Sequence, residues 1–185
     1  MNVVVCIIGC DPGTQGAFCV ASGFEDGTLD VQCNVTLVDM PTERGKIDWG
    51  GVRDILIKAR MMANVNNVPI LLGLEEPFYN PKHPSSIAPQ TRNMERIWGA
   101  ALSLFIPRVS FRAHGGWNQI LPPRLYEKEN SKDRARRFIV EEYGFGSELC
   151  DGKADAVCIA HHTFGIWSRS QPHGKKTKER RPEDQ

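Results

Sequence analysis

Val3-Val4-Val5-Cys6-Ile7-Ile8-Gly9-Cys10-Asp11-Pro12-Gly13-Thr14-Gln15-Gly16-Ala17-Phe18-Cys19-Val20 is the stretch that decides how this chain folds. It opens as an unbroken apolar run rich in β-branched residues, Val3 to Ile8, which reads as a strand buried on both faces. The run stops at Asp11-Pro12-Gly13. Pro12 has no N–H and Gly13 tolerates positive φ, so the chain turns there. A second apolar run, Ala17 to Ala21, follows at once, and the short connection predicts an antiparallel hairpin. Asp11 thus ends a central strand at the mouth of a tight turn. A carboxylate in that place costs free energy unless it meets a cation or donors. The plain structural reading is a turn aspartate bonded to nearby backbone N–H groups.

Working outward, Leu29, Val31, Cys33, Val35 and Leu37 alternate with polar residues, which is the period of a strand with one wet face. Three strands therefore form an antiparallel meander. Pro41 to Lys46 reads as a loop, and Asp48 caps a helix running to about Asn64. Pro69 to Leu74 is a second buried strand, ending in Glu75-Glu76-Pro77-Phe78. Residues 79–93, rich in Pro, Ser and Asn, read as a long loop carrying Lys82 and Arg92. A helix near Met94–Phe105 and a short strand, Arg108 to Arg112, come next. His114-Gly115-Gly116-Trp117 reads as a turn, with Trp117 as a packing residue. Asn130 or Ser131 caps a helix ending at Gly144 that carries Lys132, Arg134, Arg136 and Arg137, a run which Arg124 and Lys128 precede. A last helix runs from Asp151 to about Trp167, and residues 168–185 read as a basic, disordered tail.

The chain has 185 residues and a formal net charge of +1. That length supports one domain with a proper core, here residues 1–167, and the net charge gives no global argument for nucleic acid. No CxxC spacing occurs among the six cysteines, and four of them lie in strand-like apolar runs. They read as reduced core thiols of an intracellular, cytoplasmic protein. Asp11 interrupts the first apolar run before it reaches signal-peptide or membrane-spanning length.

Four acidic groups stand out by position. Asp11 and Glu75 end buried strands, although Glu76 could be the inward group instead. Asp151 and Asp155 lie four apart on one helical face, where they repel unless a cation separates them. Asp151 could instead be only a helix cap. Alanines on both sides of Asp155 allow that helix end close to the sheet, so the four carboxylates can converge. Oxygen-only ligands suit Mg²⁺ or Mn²⁺. Two such ions ~4 Å apart activate a water and stabilise a leaving oxygen in phosphodiester hydrolysis. His161 and His162 read as packing or surface residues.

Three segments then resemble the RuvC family of Holliday-junction resolvases, in the RNase H-like superfamily. They are Ile7-Ile8-Gly9-Cys10-Asp11-Pro12-Gly13-Thr14, Leu72-Gly73-Leu74-Glu75-Glu76-Pro77-Phe78 and Asp151-Gly152-Lys153-Ala154-Asp155-Ala156, with Ser131-Lys132-Asp133 between the last two. The resemblance spans residues 3–165. It is greatest to the phage-type and organellar-type branches, whose last acidic pair is four apart; in the best-known bacterial branch the spacing is three, a position held here by Gly152.

The resemblance implies an α/β fold with a mixed five-stranded sheet, strands 1–3 antiparallel and the rest parallel, flanked by helices. It implies a homodimer that nicks opposing strands of a four-way DNA junction, with no membrane partner. It assigns Asp11, Glu75, Asp151 and Asp155 to Mg²⁺ (or Mn²⁺), two ions per site, and Lys132 to the scissile phosphate. It makes Phe78 a wedge at the junction centre, the alternative being an ordinary core residue. Lys82, Arg92, Arg124, Lys128 and Arg134 would contact phosphate backbones. The helix at Met94–Phe105 is the expected dimer face. Three rival readings remain at this point: an RNase H-like nuclease for flaps, forks or RNA, a phosphotransferase of the actin and sugar-kinase type, and a non-catalytic junction-binding module.

Overall fold

A computed structural model of the chain describes residues 2–31, 37–77, 87–112, 116–146 and 149–171. In chain order the elements are β1 (Val3–Cys10), β2 (Ala17–Phe24), β3 (Leu29–Asp30), β4 (Leu37–Asp39), β5 (Thr42–Glu43), β6 (Lys46–Ile47), α1 (Trp49–Asn66), β7 (Ile70–Glu76), α2 (Ile87–Ser103), β8 (Arg108–Arg112), a 3₁₀ turn (Trp117–Ile120), α3 (Ser131–Tyr143) and α4 (Asp151–Ser170).

The main sheet runs β3-β2-β1-β7-β8, with β4 also paired to β2. β1 and β2 are antiparallel, opposing Cys10 to Phe18 and Ile7 to Ala21. β3 and β4 both add antiparallel to β2, so two short strands share the third position of the meander. β7 lies parallel to β1 and β8 parallel to β7. Parallel neighbours need a crossover, which α1 and α2 supply. The mixed sheet expected from the sequence is present, and its helices cover both faces.

β1 shows why both faces are covered. Cys6, Ile8 and Cys10 pack with Leu56 of α1, Ile97 of α2 and Leu72, whereas Val5 and Ile7 pack with Ile139 of α3 and Ile159 of α4. A strand with apolar residues at both parities cannot leave either side wet. Asp48 caps α1 by accepting from the Gly50 N–H. Asn130 caps α3 in a reciprocal box with Asp133, and Gly144 ends that helix at φ 67°. Among the described cysteines none is disulfide-bonded, and Cys6, Cys10, Cys19 and Cys158 are buried.

Three expectations need correction. α2 begins at Ile87 rather than Met94, so part of the expected loop is helix. Pro89 falls in its first turn, where a missing N–H breaks no intrahelical bond. Pro41–Lys46 is not a plain loop: β5 and β6 pair there around Arg44 and Gly45, both at positive φ. Strands of two residues leave no periodicity to read. α4 continues through Ser170, beyond the expected Trp167. Among the described residues no helix is long and apolar enough to cross a membrane.

Candidate active site

Asp11 is the first residue past β1. Its N–H donates to Ala17 O (3.1 Å), closing the hairpin, and its Oδ1 accepts from the Gly13 N–H (3.1 Å). The turn-aspartate reading is therefore correct as far as it goes. Burial pushes the carboxyl up, while the Gly13 N–H and the charge of Lys132 pull it back.

Glu75 lies at the far end of β7. Its Oε1 accepts from Trp117 Nε1 at 2.9 Å. Burial raises its carboxyl to about 7; the Trp117 bond opposes that rise and the charge of Asp11 adds to it. Glu75 is thus the residue of the Glu75–Glu76 pair that interacts with the other strand-end carboxylate.

Asp155 arrives on α4, which lies very close to the sheet. A Cβ on Gly9 would stand 2.2 Å from Ala156 O and 2.5 Å from Ala160 N. The small residues that permit this approach are on the strand as well as on the helix. Among the described residues Asp155 Oδ1, a buried atom, has no hydrogen-bond partner. Burial, then the charges of Asp11 and Glu75, raise its carboxyl to about 7.

Asp151 is the first residue of α4, not its cap; Cys150 holds the cap position and makes no side-chain capping bond. The Asp151 carboxylate accepts from Lys132 Nζ (3.1 Å) and pairs with the Arg136 guanidinium (2.5 Å). Burial acts against its charge, but these two cations hold it below the usual carboxylate range. Gly152 cannot be replaced by an acid. It is buried, and a Cβ there would lie 2.2 Å from Gln15 O. The four-residue spacing of the acidic pair therefore has a steric cause in this chain.

An open cavity of about 580 Å³ is lined by Asp11, residues 13–16, Lys132, Arg136, Asp151 and Asp155, among others. Asp11 and Asp155 line this cavity with Lys132 and Asp151; Glu75 does not line it and is linked to the other two through charge, Asp11 acting on Glu75 and both acting on Asp155. Phe78 and Lys82 lie outside the described residues. Arg92, Arg124 and Lys128 are exposed. Arg134 departs from expectation. Its Nε donates to Pro122 O (2.8 Å) and its Nη2 to Leu121 O (3.2 Å), so its guanidinium holds the chain ahead of α3. The two histidines pack: His161 Nδ1 is 2.6 Å from the Tyr143 hydroxyl, and His162 sits edge-on to Phe111.

Two residues carry more than the sequence reading gave them. Trp117 is only 5% exposed and does pack in the core, but it also orients Glu75. No local pattern signals that bond, because the partners are far apart in the chain. Arg136 did have a signal, since it follows Lys132 by one helical turn.

The donor set suits a hard divalent cation in chemistry: every candidate ligand is a carboxylate oxygen, Asp155 Oδ1 is buried without a partner among the described residues, and two carboxyls are raised by burial first and by neighbouring carboxylate charge second. Among the described residues no three His, Cys, Asp or Glu side chains stand close enough to form a closed metal-holding group.

No protein-family model and no curated protein matches the sequence. Solved structures do. A Thermus thermophilus RuvC in complex with a Holliday junction substrate matches with a TM-score of 0.57 at 15% identity, over 88% of this chain and 96% of the other. A second Thermus thermophilus RuvC structure matches with a TM-score of 0.58 at 15% identity, over 89% and 97%. The architecture deduced from the hairpin, the parallel crossovers and the close-packed last helix is thus the RuvC-like, RNase H-type fold.

Proposed function

We propose that this chain is a metal-dependent endonuclease that resolves four-way DNA junctions by paired nicks, acting as a homodimer. The observation that carries the reading is Asp155, whose Oδ1 is buried without a hydrogen-bond partner among the described residues and whose carboxyl feels the charges of Asp11, Glu75 and Lys132. Core packing alone gives no reason to bury Asp155 within reach of the charges of Asp11 and Glu75, which add to the rise that burial causes. The likeness to a RuvC bound to a Holliday junction supports the choice of substrate.

In this reading Asp11, Glu75 and Asp155 would hold Mg²⁺ or Mn²⁺, two ions per site. Bound cations supply the charge that lowers the pKa of an attacking water and stabilises the leaving oxygen. Trp117 fixes one oxygen of the Glu75 carboxylate through its indole N–H. Lys132 and Arg136 stand on one face of α3 and present positive charge to the scissile phosphate. Asp151 neutralises them in the free protein and becomes available as a ligand when a phosphate takes its place.

The test is incubation with a labelled mobile four-way junction, a matched duplex, a flap and an RNA–DNA hybrid, in Mg²⁺, Mn²⁺ or EDTA, beside Asp155→Asn. Metal-dependent symmetric nicks in the junction, absent from the variant although it still binds, are the expected result. Equal cutting of flap or hybrid would replace the substrate assignment with general structure selectivity. Binding without any cutting would reduce the chain to a junction-binding module.

A further inference from the structure

The segment between the 3₁₀ turn and α3 is built unlike an ordinary surface loop. Glu129, only 3% exposed, accepts from the Leu125 N–H (2.7 Å) and from Arg137 Nε (3.0 Å) and Nη2 (3.2 Å). Arg137 Nη2 also donates to Pro123 O (2.6 Å), and the Glu129 N–H donates to Tyr126 O (3.1 Å). Arg134 holds the Pro122 and Leu121 carbonyls from beneath, and Leu121 itself is buried in the core. Two guanidinium groups and a buried carboxylate thus fix one short loop.

What the loop presents is apolar. Leu125 is 70% exposed and Tyr126 57% exposed, at the crest of this braced segment. Arg124 and Lys128 flank them, both exposed, with the exposed Glu127 between. Immediately beyond, Asn130 caps α3, the helix that carries Lys132 and Arg136 to the carboxylate site. One exposed aromatic ring beside an exposed leucine, held on a braced loop between two cations and followed directly by the helix that carries Lys132 and Arg136, matches the requirements for stacking on an unpaired or splayed base. Because the loop is already fixed, little ordering entropy is lost on contact.

We propose that Leu125 and Tyr126 form a stacking platform for bases exposed at the branch point of the DNA. This rests on the branched-DNA reading above and assigns to that site a contact with bases rather than phosphates. A self-association surface is the competing use of the same residues, but the flanking Arg124 and Lys128 favour a polyanion over a second copy of this chain.

The experiment measures junction and matched-duplex affinity of the full chain in EDTA over a salt series. It compares wild type, Tyr126→Ala, Tyr126→Phe and Arg124→Gln, with a 2-aminopurine base at the junction centre and sedimentation to give the oligomeric state. Loss of one base–aromatic stack weakens binding about 5- to 150-fold. Tyr126→Ala should show that loss on the junction but not on the duplex, with an unchanged salt slope and a smaller 2-aminopurine response; Tyr126→Phe should restore both. Arg124→Gln should instead lower the salt slope by about one. Wild-type junction affinity in folded Tyr126→Ala overturns the platform. Dissociation of a dimer in that variant, with the 2-aminopurine response intact, assigns the surface to self-association and also overturns it. If wild type itself fails to prefer the junction over the duplex, the branched-DNA reading falls and the platform with it.

Discussion

Replacing Asp155 by Asn should stabilise the metal-free protein while destroying its activity. Burial and the charges of Asp11 and Glu75 raise the Asp155 carboxyl from 3.8 to about 7. Each pH unit of such a rise is worth about 1.4 kcal/mol, so the ionised side chain costs the fold up to roughly 4 kcal/mol at pH 8. The Asn amide is itself polar and keeps part of the burial cost, which leaves about 2 kcal/mol recoverable. The sign follows from linkage. A raised folded pKa gives stability that is fully present below the unfolded value, near pH 4, and is lost as pH rises toward 7. The gain in the Asn variant should therefore be absent near pH 4, grow through neutrality and level off by pH 8. For a domain of this size 2 kcal/mol is about 4–8 °C in Tm. Thermal melts of both proteins in EDTA at pH 4 to 8 provide the measurement. Saturating Mg²⁺ should then raise wild type by mass action and leave the variant unmoved, narrowing or reversing their order. A variant no more stable than wild type at pH 8, or one with an equal gain at pH 4, refutes the claim that crowded carboxylates destabilise this site.

Trp117→Phe keeps an aromatic ring in the core but removes the donor to Glu75; loss of such an outer-shell partner should cost about 10- to 100-fold in metal affinity or activity, read from Mn²⁺ binding and from the Mg²⁺ dependence of cleavage. In a Glu75→Gln background the same change should add little. Arg136→Ala should leave unfolding free energy within about 0.5 kcal/mol, because the ion pair is part-exposed, while lowering the salt slope of junction binding by about one. Gly9→Ala drives a methyl group into the α4 backbone and should destabilise by about 3 kcal/mol or more in urea titration, since neither partner is a movable side chain.

The hairpin and the two buried strands were legible because their signals are local. Continuous β-branched runs, the Asp-Pro-Gly turn and the caps at Asp48 and Asn130 depend on neighbours in sequence, and each is present as read. The start of α2 at Ile87 was not legible, because the Pro and Ser content that argued for a loop is compatible with a first helical turn. The third meander strand was partly legible: Leu29 and Leu37 both pair with β2, and Cys33 and Val35, which were to join them, lie outside the described residues. The candidate carboxylates were singled out by their positions at strand and helix ends, whereas the bond from Trp117 to Glu75 exists only in the folded chain.

The basic run of α3 shows most clearly where composition stops and geometry begins. Lys132, Arg134, Arg136 and Arg137 are equivalent in any count of charge. Helical spacing separates them: Lys132 and Arg136, one turn apart, face Asp151. Arg134 and Arg137, also a turn apart but rotated around the axis, reach back to Leu121, Pro122, Pro123 and Glu129. Ala135, Phe138 and Ile139 occupy the remaining face and are buried. One helix therefore meets the core, the carboxylate site and the braced loop at once. A rotation of α3 that moved Lys132 away from the site would also strain the hydrogen bonds holding the loop. The helix that carries Lys132 is thus tied to the preceding loop by Arg134 and Arg137, cations in the basic run that the resemblance assigned to phosphate backbones.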